Sequence, residues 1–396
     1  MIDERTAADL RTGRATTWLS SEPPEPPALD RFLVGLRDAR DEIEAGRSLP
    51  DSVVRGLVDA GLARLCVPRR LGGDQADPVA LARCLEAVAR ADASTAWCAW
   101  IYASAPWFLA YATPAAIEAV YGDGPDALVA SPLAPTGRAT TVDGGVRVSG
   151  RWPFASGSRH CDWFLCRVVL DGGPGQRLVL MPTYEVARLD NWWPNGLSGT
   201  GSGDVAVDDV FVPRERVVSF GLGPRRWQEP LYSFPHHGLA CGSAAIALGV
   251  AQDALDTFVT LAAGKKPAGS SRRLVEREAV QLQVARAEAE LGAARAYLHQ
   301  ATGDVWDEVV RGGAASLHRR AVLRLAANHA CRVATGVVDG AHHAAGSSAV
   351  PRTSVLGRHL RDVHTVTQHK FHSDEIDEIA GRVLLGLDAA EGVDQL

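Results

Sequence analysis

The chain changes character over residues 127–218, and that change constrains the fold more than any other feature. This middle stretch is rich in Val, Thr, Gly and Pro, and its alternating runs at 140–149 and 163–170 read as strands joined by Gly-containing turns. The flanks read differently. Upstream, Leu36, Ile43 and the stretch 53–65 recur at helical intervals, 68–73 is a loop, and 78–90 is a helix with Pro78 at its start. Residues 93–111 are apolar nearly all round, as in a buried central helix. Downstream of a Pro- and aromatic-rich linker at 221–235, segments 240–263, 272–302, 314–343 and 355–387 are each long enough for helices of a packed bundle. The reading is α+β: an arm at 1–27, where clustered prolines stop helix growth, helices at 28–126, a β-domain at 127–220 and a helical bundle at 221–396.

Composition narrows the function. At 396 residues the chain can bury a large core in two or three domains. A net charge of −6 argues against nucleic acid as the main partner, because phosphate binding needs a basic field. Seven scattered cysteines with no Cys-x-x-Cys fit reduced thiols in a cytoplasm. Residues 1–20 carry both charge signs and no apolar run, so no signal peptide is expected, and no transmembrane helix is expected elsewhere. Ten tryptophans suggest an aromatic-lined pocket or interface. No Gly-x-Gly-x-x-Gly stands in a strand-turn-helix context, and there is no Walker loop or His-Glu-x-x-His, which argues against a nicotinamide or ATP enzyme.

Two segments carry the strongest signal: Gly150-Arg151-Trp152-Pro153-Phe154-Ala155-Ser156-Gly157 and Gly196-Leu197-Ser198-Gly199-Thr200-Gly201-Ser202-Gly203-Asp204. Taken alone, the first also fits a strand ending in a Ser-Gly turn. Together, their spacing and order resemble the central domain of the acyl-CoA dehydrogenase superfamily. The wording is closer to its two-component flavin-dependent monooxygenases (group D, hydroxylase component). The resemblance implies an N-terminal helical domain, a β-barrel-like middle domain and a C-terminal four-helix bundle. It also implies reduced FMN or FAD, no metal, and a separate NAD(P)H:flavin reductase as partner. One atom of O2 would reach a small organic substrate by way of a flavin hydroperoxide. Trp152, Phe154, Ser156 and Gly157 would lie along the flavin, with the Ser156 hydroxyl at the ring nitrogen beside the reacting carbon. Ser131 and Leu133 would belong to a first flavin-contacting loop, which otherwise reads as a Pro/Gly connector.

Arg358, Arg361, Asp362, Thr365, His369 and His372 fall on one face of an expected helix, and the Arg-Asp pair with its late His resembles the family's C-terminal signature. Dehydrogenases of the superfamily often carry a catalytic glutamate near this place. Here His369 stands instead, which removes the obvious base for abstracting an acyl-CoA α-proton and favours oxygenase over dehydrogenase; the resemblance implies that His369 contacts the cofactor and tunes the charge state of the hydroperoxide. A surface helix rich in His is the plain alternative. A metal site from His364, His369 and His372 is disfavoured because the three do not share a face. Phenol hydroxylases of the branch usually carry a histidine immediately before Pro106-Trp107; this chain has Ala105. A relocated base at His236 or His237, or a substrate that needs no deprotonation, would meet that departure. Trp107, Phe108, Trp192, Trp193, Phe234 and His236 are the expected pocket lining, with ordinary core packing as the alternative. Ser347, in a Gly-containing segment, and Arg272, before a long helix, would contact cofactor, the former across a homotetramer interface. A dehydrogenase-like oxidase and a flavin-free scaffold are the competing functions.

Overall fold

The computed structural model describes residues 27–171, 175–387 and 392–396; most of the expected arm lies outside them. Six helices come first: α1 (Pro27–Asp38), α2 (Arg40–Gly46), α3 (Asp51–Asp59), α4 (Pro78–Ala91), α5 (Ala93–Leu109) and α6 (Pro114–Tyr121). Local chemistry sets the boundaries. Asp77 accepts from the N–H groups of Val79 and Ala80, each at 2.9 Å, while Pro78 occupies the first position of α4. Asp92 caps α5 by accepting from the N–H of Thr95 at 2.7 Å. Along α5 every residue except Ile101 is buried, as an all-round apolar sequence demands.

Eight strands follow: β1 (Val129–Ala130), β2 (Gly137–Val142), β3 (Gly145–Trp152), β4 (Trp163–Leu170), β5 (Gln176–Pro182), β6 (Ala187–Arg188), β7 (Val205–Pro213) and β8 (Val217–Val218). They form one sheet in the order β6-β7-β3-β2-β4-β5-β8, with β1 paired to β4. The barrel-like expectation is corrected here: the sheet is open. Its edges, β6 and β8, are two residues long, and each pairs with a single neighbour. A barrel needs a continuous ladder between the first and last strands. Short edges instead limit unwanted pairing.

The remaining helices are α7 (Ala240–Gly264), α8 (Glu278–Gly312), α9 (Leu317–Ala345), α10 (Val355–Val366) and α11 (Asp374–Leu384). The expected single helix over 355–387 is broken by a turn, so His369 and His372 are not on the helix that carries Arg358 and Asp362. The segment His236–Gly264 is long and apolar enough to span a membrane by length and composition, yet its most apolar window is wholly buried in this fold. It is the axis of the helical region, packed between α4 and α9. One continuous apolar core joins the first helices, the sheet and the bundle; a smaller one forms between α9 and α11.

Candidate active site

The two segments that stood out in the sequence meet in space. The N–H of Ala155 donates to the Gly203 carbonyl at 3.2 Å, and the N–H of Gly157 to the Thr200 carbonyl at 3.0 Å. Gly157 has φ +73°, and a Cβ there would lie 2.7 Å from the Tyr102 hydroxyl, so only glycine fits. At Gly196 a Cβ would lie 2.2 Å from the Arg361 carbonyl, which lets α10 press against the second segment. Asp362 on α10 secures that contact by accepting from the Leu197 N–H at 2.7 Å. Burial raises the Asp362 carboxyl to about 7.

Ser156 is buried and holds two polar partners. It accepts from the Trp97 indole N–H at 3.1 Å, and its hydroxyl lies 2.7 Å from that of Ser202. Ser202 in turn lies 2.7 Å from the Thr200 hydroxyl, which donates to the Leu197 carbonyl at 2.8 Å. Trp97 also connects Ser156 to His369. The His369 ring sits among Trp97, Trp100 and Phe371, with centroids 5.5, 5.4 and 4.7 Å away, all edge-on. This apolar shell lowers the His369 pKa to about 3. Its Nδ1 accepts from the Phe371 N–H at 3.3 Å, so the neutral ring carries its hydrogen on Nε2 and offers a donor.

Phe154 lies at φ +57° and is 71% exposed at the edge of a cavity of about 850 Å³. Trp192, Trp193, Ser202, Arg361, Thr365 and Gln368 also line this cavity. Trp193 is 74% exposed and carries the Arg47 guanidinium 3.6 Å above its ring. An aromatic face beside buried hydroxyls suits a flat heteroaromatic ring such as flavin. Among the described residues, Ser131 Oγ, Trp100 Nε1 and Trp107 Nε1 are buried without hydrogen-bond partners.

Other expected site residues stand elsewhere. Trp152 is fully buried under the sheet and donates to the Arg167 carbonyl at 2.7 Å. Leu133 packs at the border of the core. Phe108 and His236 flank Phe220 at 4.9 and 5.1 Å, while Phe234 is buried nearby in sequence and Trp107 meets Tyr232 at 6.2 Å. His236 and His237 line a separate cavity of about 210 Å³. His237 Nδ1 donates to the Asp394 carbonyl at 2.6 Å, and its ring lies 5.7 Å from Phe371, the neighbour of His369. Burial lowers His236 to about 3 and His237 to about 4. Arg272 is a surface residue paired with Glu278 at 3.0 Å, and Ser347 is exposed in the turn after α9. Among the described residues no cluster of His, Cys, Asp and Glu could hold a metal.

Three contributors escaped sequence reasoning. Ser202 was visible only as part of its motif. Trp97 was one of several tryptophans on an apolar helix. Arg324, buried on α9, carried no signal at all; it donates to the carbonyls of His237 at 2.9 Å and Phe371 at 2.7 Å, fixing both histidine-bearing turns.

Comparison with known proteins agrees with this geometry. Residues 35–120 match the family model described as acyl-CoA dehydrogenase, N-terminal domain, and residues 241–374 match acyl-CoA dehydrogenase, C-terminal domain. Indole-3-acetate monooxygenase of Pseudomonas putida is 32% identical over 366 residues, covering 91% of this chain and 94% of that protein. The crystal structure of 3-HSA hydroxylase from Rhodococcus sp. RHA1 superposes with a TM-score of 0.87 at 29% identity, covering 93% of this chain and 98% of the other. XiaF from Streptomyces sp., in complex with FADH2 and glycerol, gives 0.85 at 26% identity, covering 92% and 95%. The chain belongs to the acyl-CoA dehydrogenase-fold family, among the hydroxylase components of its two-component flavin-dependent monooxygenases.

Proposed function

We propose that this monooxygenase oxygenates an electron-rich aromatic substrate of the indole class, one whose ring needs no deprotonation before attack. The observation that carries this reading is that none of His236, His237 and His369, the histidines expected to serve as a base, is suited to that role. Ala105 replaces the family's histidine, and burial holds His236, His237 and His369 neutral with pKa values of about 3 to 4. Such weak bases do not take a phenol proton near neutrality. The likeness to an indole-3-acetate monooxygenase supports the same class.

Reduced flavin, when bound, supplies the electrons and the carbon at which O2 is activated. Phe154, exposed beside the cavity, would pack against its ring, and Ser156 would meet the ring nitrogen beside the reacting carbon. Trp97, Trp100 and Phe371 keep water from His369, which holds its proton at Nε2 and donates from there. We further propose a homotetramer built on the long C-terminal helices and acting in the cytoplasm, consistent with seven free cysteines. Light scattering should give four times the chain mass of 42.1 kDa; a monomer at micromolar concentration contradicts it.

The substrate class is tested by supplying reduced flavin, O2 and either an indole or a simple phenol. Indoles should be oxygenated with most of the reducing equivalents recovered in product, whereas phenols should drive release of hydrogen peroxide. Efficient phenol hydroxylation with inert indoles would overturn the reading.

A further inference from the structure

The hydroxyls of Ser156, Ser202 and Thr200 form a chain with a preferred proton order. Thr200 gives its hydrogen to the Leu197 carbonyl, a pure acceptor. Thr200 can then only accept from Ser202, at 2.7 Å, and Ser202 can only accept from Ser156, also at 2.7 Å. Ser156 therefore spends its hydrogen on Ser202. One of its lone pairs is taken by the Trp97 indole N–H, and one remains. In this order Ser156 presents an acceptor and no donor. The opposite order exists, but it breaks the bond from Thr200 to Leu197. All three hydroxyls are in buried residues, so water cannot readily replace that bond.

We infer that Thr200 and Ser202 are positioning residues that make Ser156 an acceptor, and so make the site selective for reduced over oxidised flavin. The ring nitrogen assigned to Ser156 carries hydrogen only in the reduced state, as a donor; in the oxidised state it is an acceptor. An acceptor-only serine pairs with the first and opposes the second. An oxygenase supplied with reduced flavin by a separate reductase gains from this, because spent oxidised flavin leaves. The inference rests on the reading that Ser156 meets that nitrogen.

The test is binding rather than turnover. Dissociation constants for FAD are measured by tryptophan fluorescence, oxidised in air and reduced under anaerobic conditions, for the wild type and four variants. Wild type should prefer reduced FAD. Ser202→Ala frees the Ser156 hydrogen and should contract the preference by about tenfold, mainly through tighter binding of oxidised FAD. Thr200→Val preserves shape but leaves Ser202 free to donate to Ser156, and should contract it at least as far. Ser202→Thr keeps the hydroxyl and should restore the wild-type ratio, which a merely structural role would not require. If Ser156→Ala changes the ratio while Ser202→Ala and Thr200→Val leave it unchanged, the chain does not set the selectivity and the inference fails alone. If Ser156→Ala also leaves it unchanged, the placement of Ser156 at the ring nitrogen fails with it.

Discussion

Ser156 has a hydroxyl confined by an indole N–H on one side and a second serine on the other, so its direction is set before any ligand arrives. That preorganisation is what a hydrogen bond needs to matter in a closed site. Ser156→Ala should leave the fold intact and divert turnover from substrate oxygenation to hydrogen peroxide. One lost bond of about 1–3 kcal/mol corresponds to a roughly ten- to hundredfold faster competing loss. Peroxide release at the wild-type rate would remove Ser156 from the mechanism. The Trp-Pro-Phe-Ala-Ser-Gly segment stood out in the sequence, but the fates of its two aromatics were not legible there. Trp152 and Phe154 have the same strand parity, so alternation gives them the same face. The strand ends at Trp152, and the left-handed backbone at Phe154 turns that ring out to the cavity while Trp152 stays in the core.

Among the elements, α10 is held to the second motif through Asp362, and this makes the clamp pH-sensitive. Burial raises the Asp362 carboxyl from 3.8 to about 7, so the folded state binds a proton that the unfolded chain has already lost between those values. Its stabilising contribution is complete below about 4 and fades as pH rises through 7. Asp362 therefore contributes a fall of about 2–3 kcal/mol from pH 5 to pH 7.5, on the basis of 1.36 kcal/mol per pKa unit, while the buried neutral histidines, held below their ordinary value, act in the opposite direction over the same range. Asp362→Asn keeps an oxygen for the Leu197 N–H and removes that contribution, so the stability of the variant against urea, relative to wild type, should improve by about 2–3 kcal/mol from pH 5 to pH 7.5; a difference that does not change with pH assigns the fall to another group. The turn that separates α10 from α11 was missed because residues 367–372 hold no Gly or Pro. A signal was nonetheless present: Ser373 precedes a first turn containing Asp374, Glu375 and Asp377, the pattern of a new helix start. The open sheet was harder to foresee. Two-residue edge strands such as β6 and β8 leave almost no periodicity to read, and closure depends on which strands pair.

At the scale of the molecule, the β-segment supplies the two motifs, α5 supplies Trp97 and Trp100, and the turn between α10 and α11 supplies His369. The site exists only where these three parts pack together. The order of helices, sheet and helices was readable from composition, because each layer has its own residue usage. The junction was not, since Arg324 and the 369–373 turn are set by tertiary packing. Monooxygenase activity requires this junction to handle reduced flavin and O2 together. The most direct measurement is an anaerobic titration with reduced FAD, followed by addition of 18O2 and an indole, with mass spectrometry of the product. Saturable binding of the reduced flavin and one 18O atom in the product are expected. Failure to bind reduced flavin, or a product whose oxygen comes from water, would contradict monooxygenase activity here.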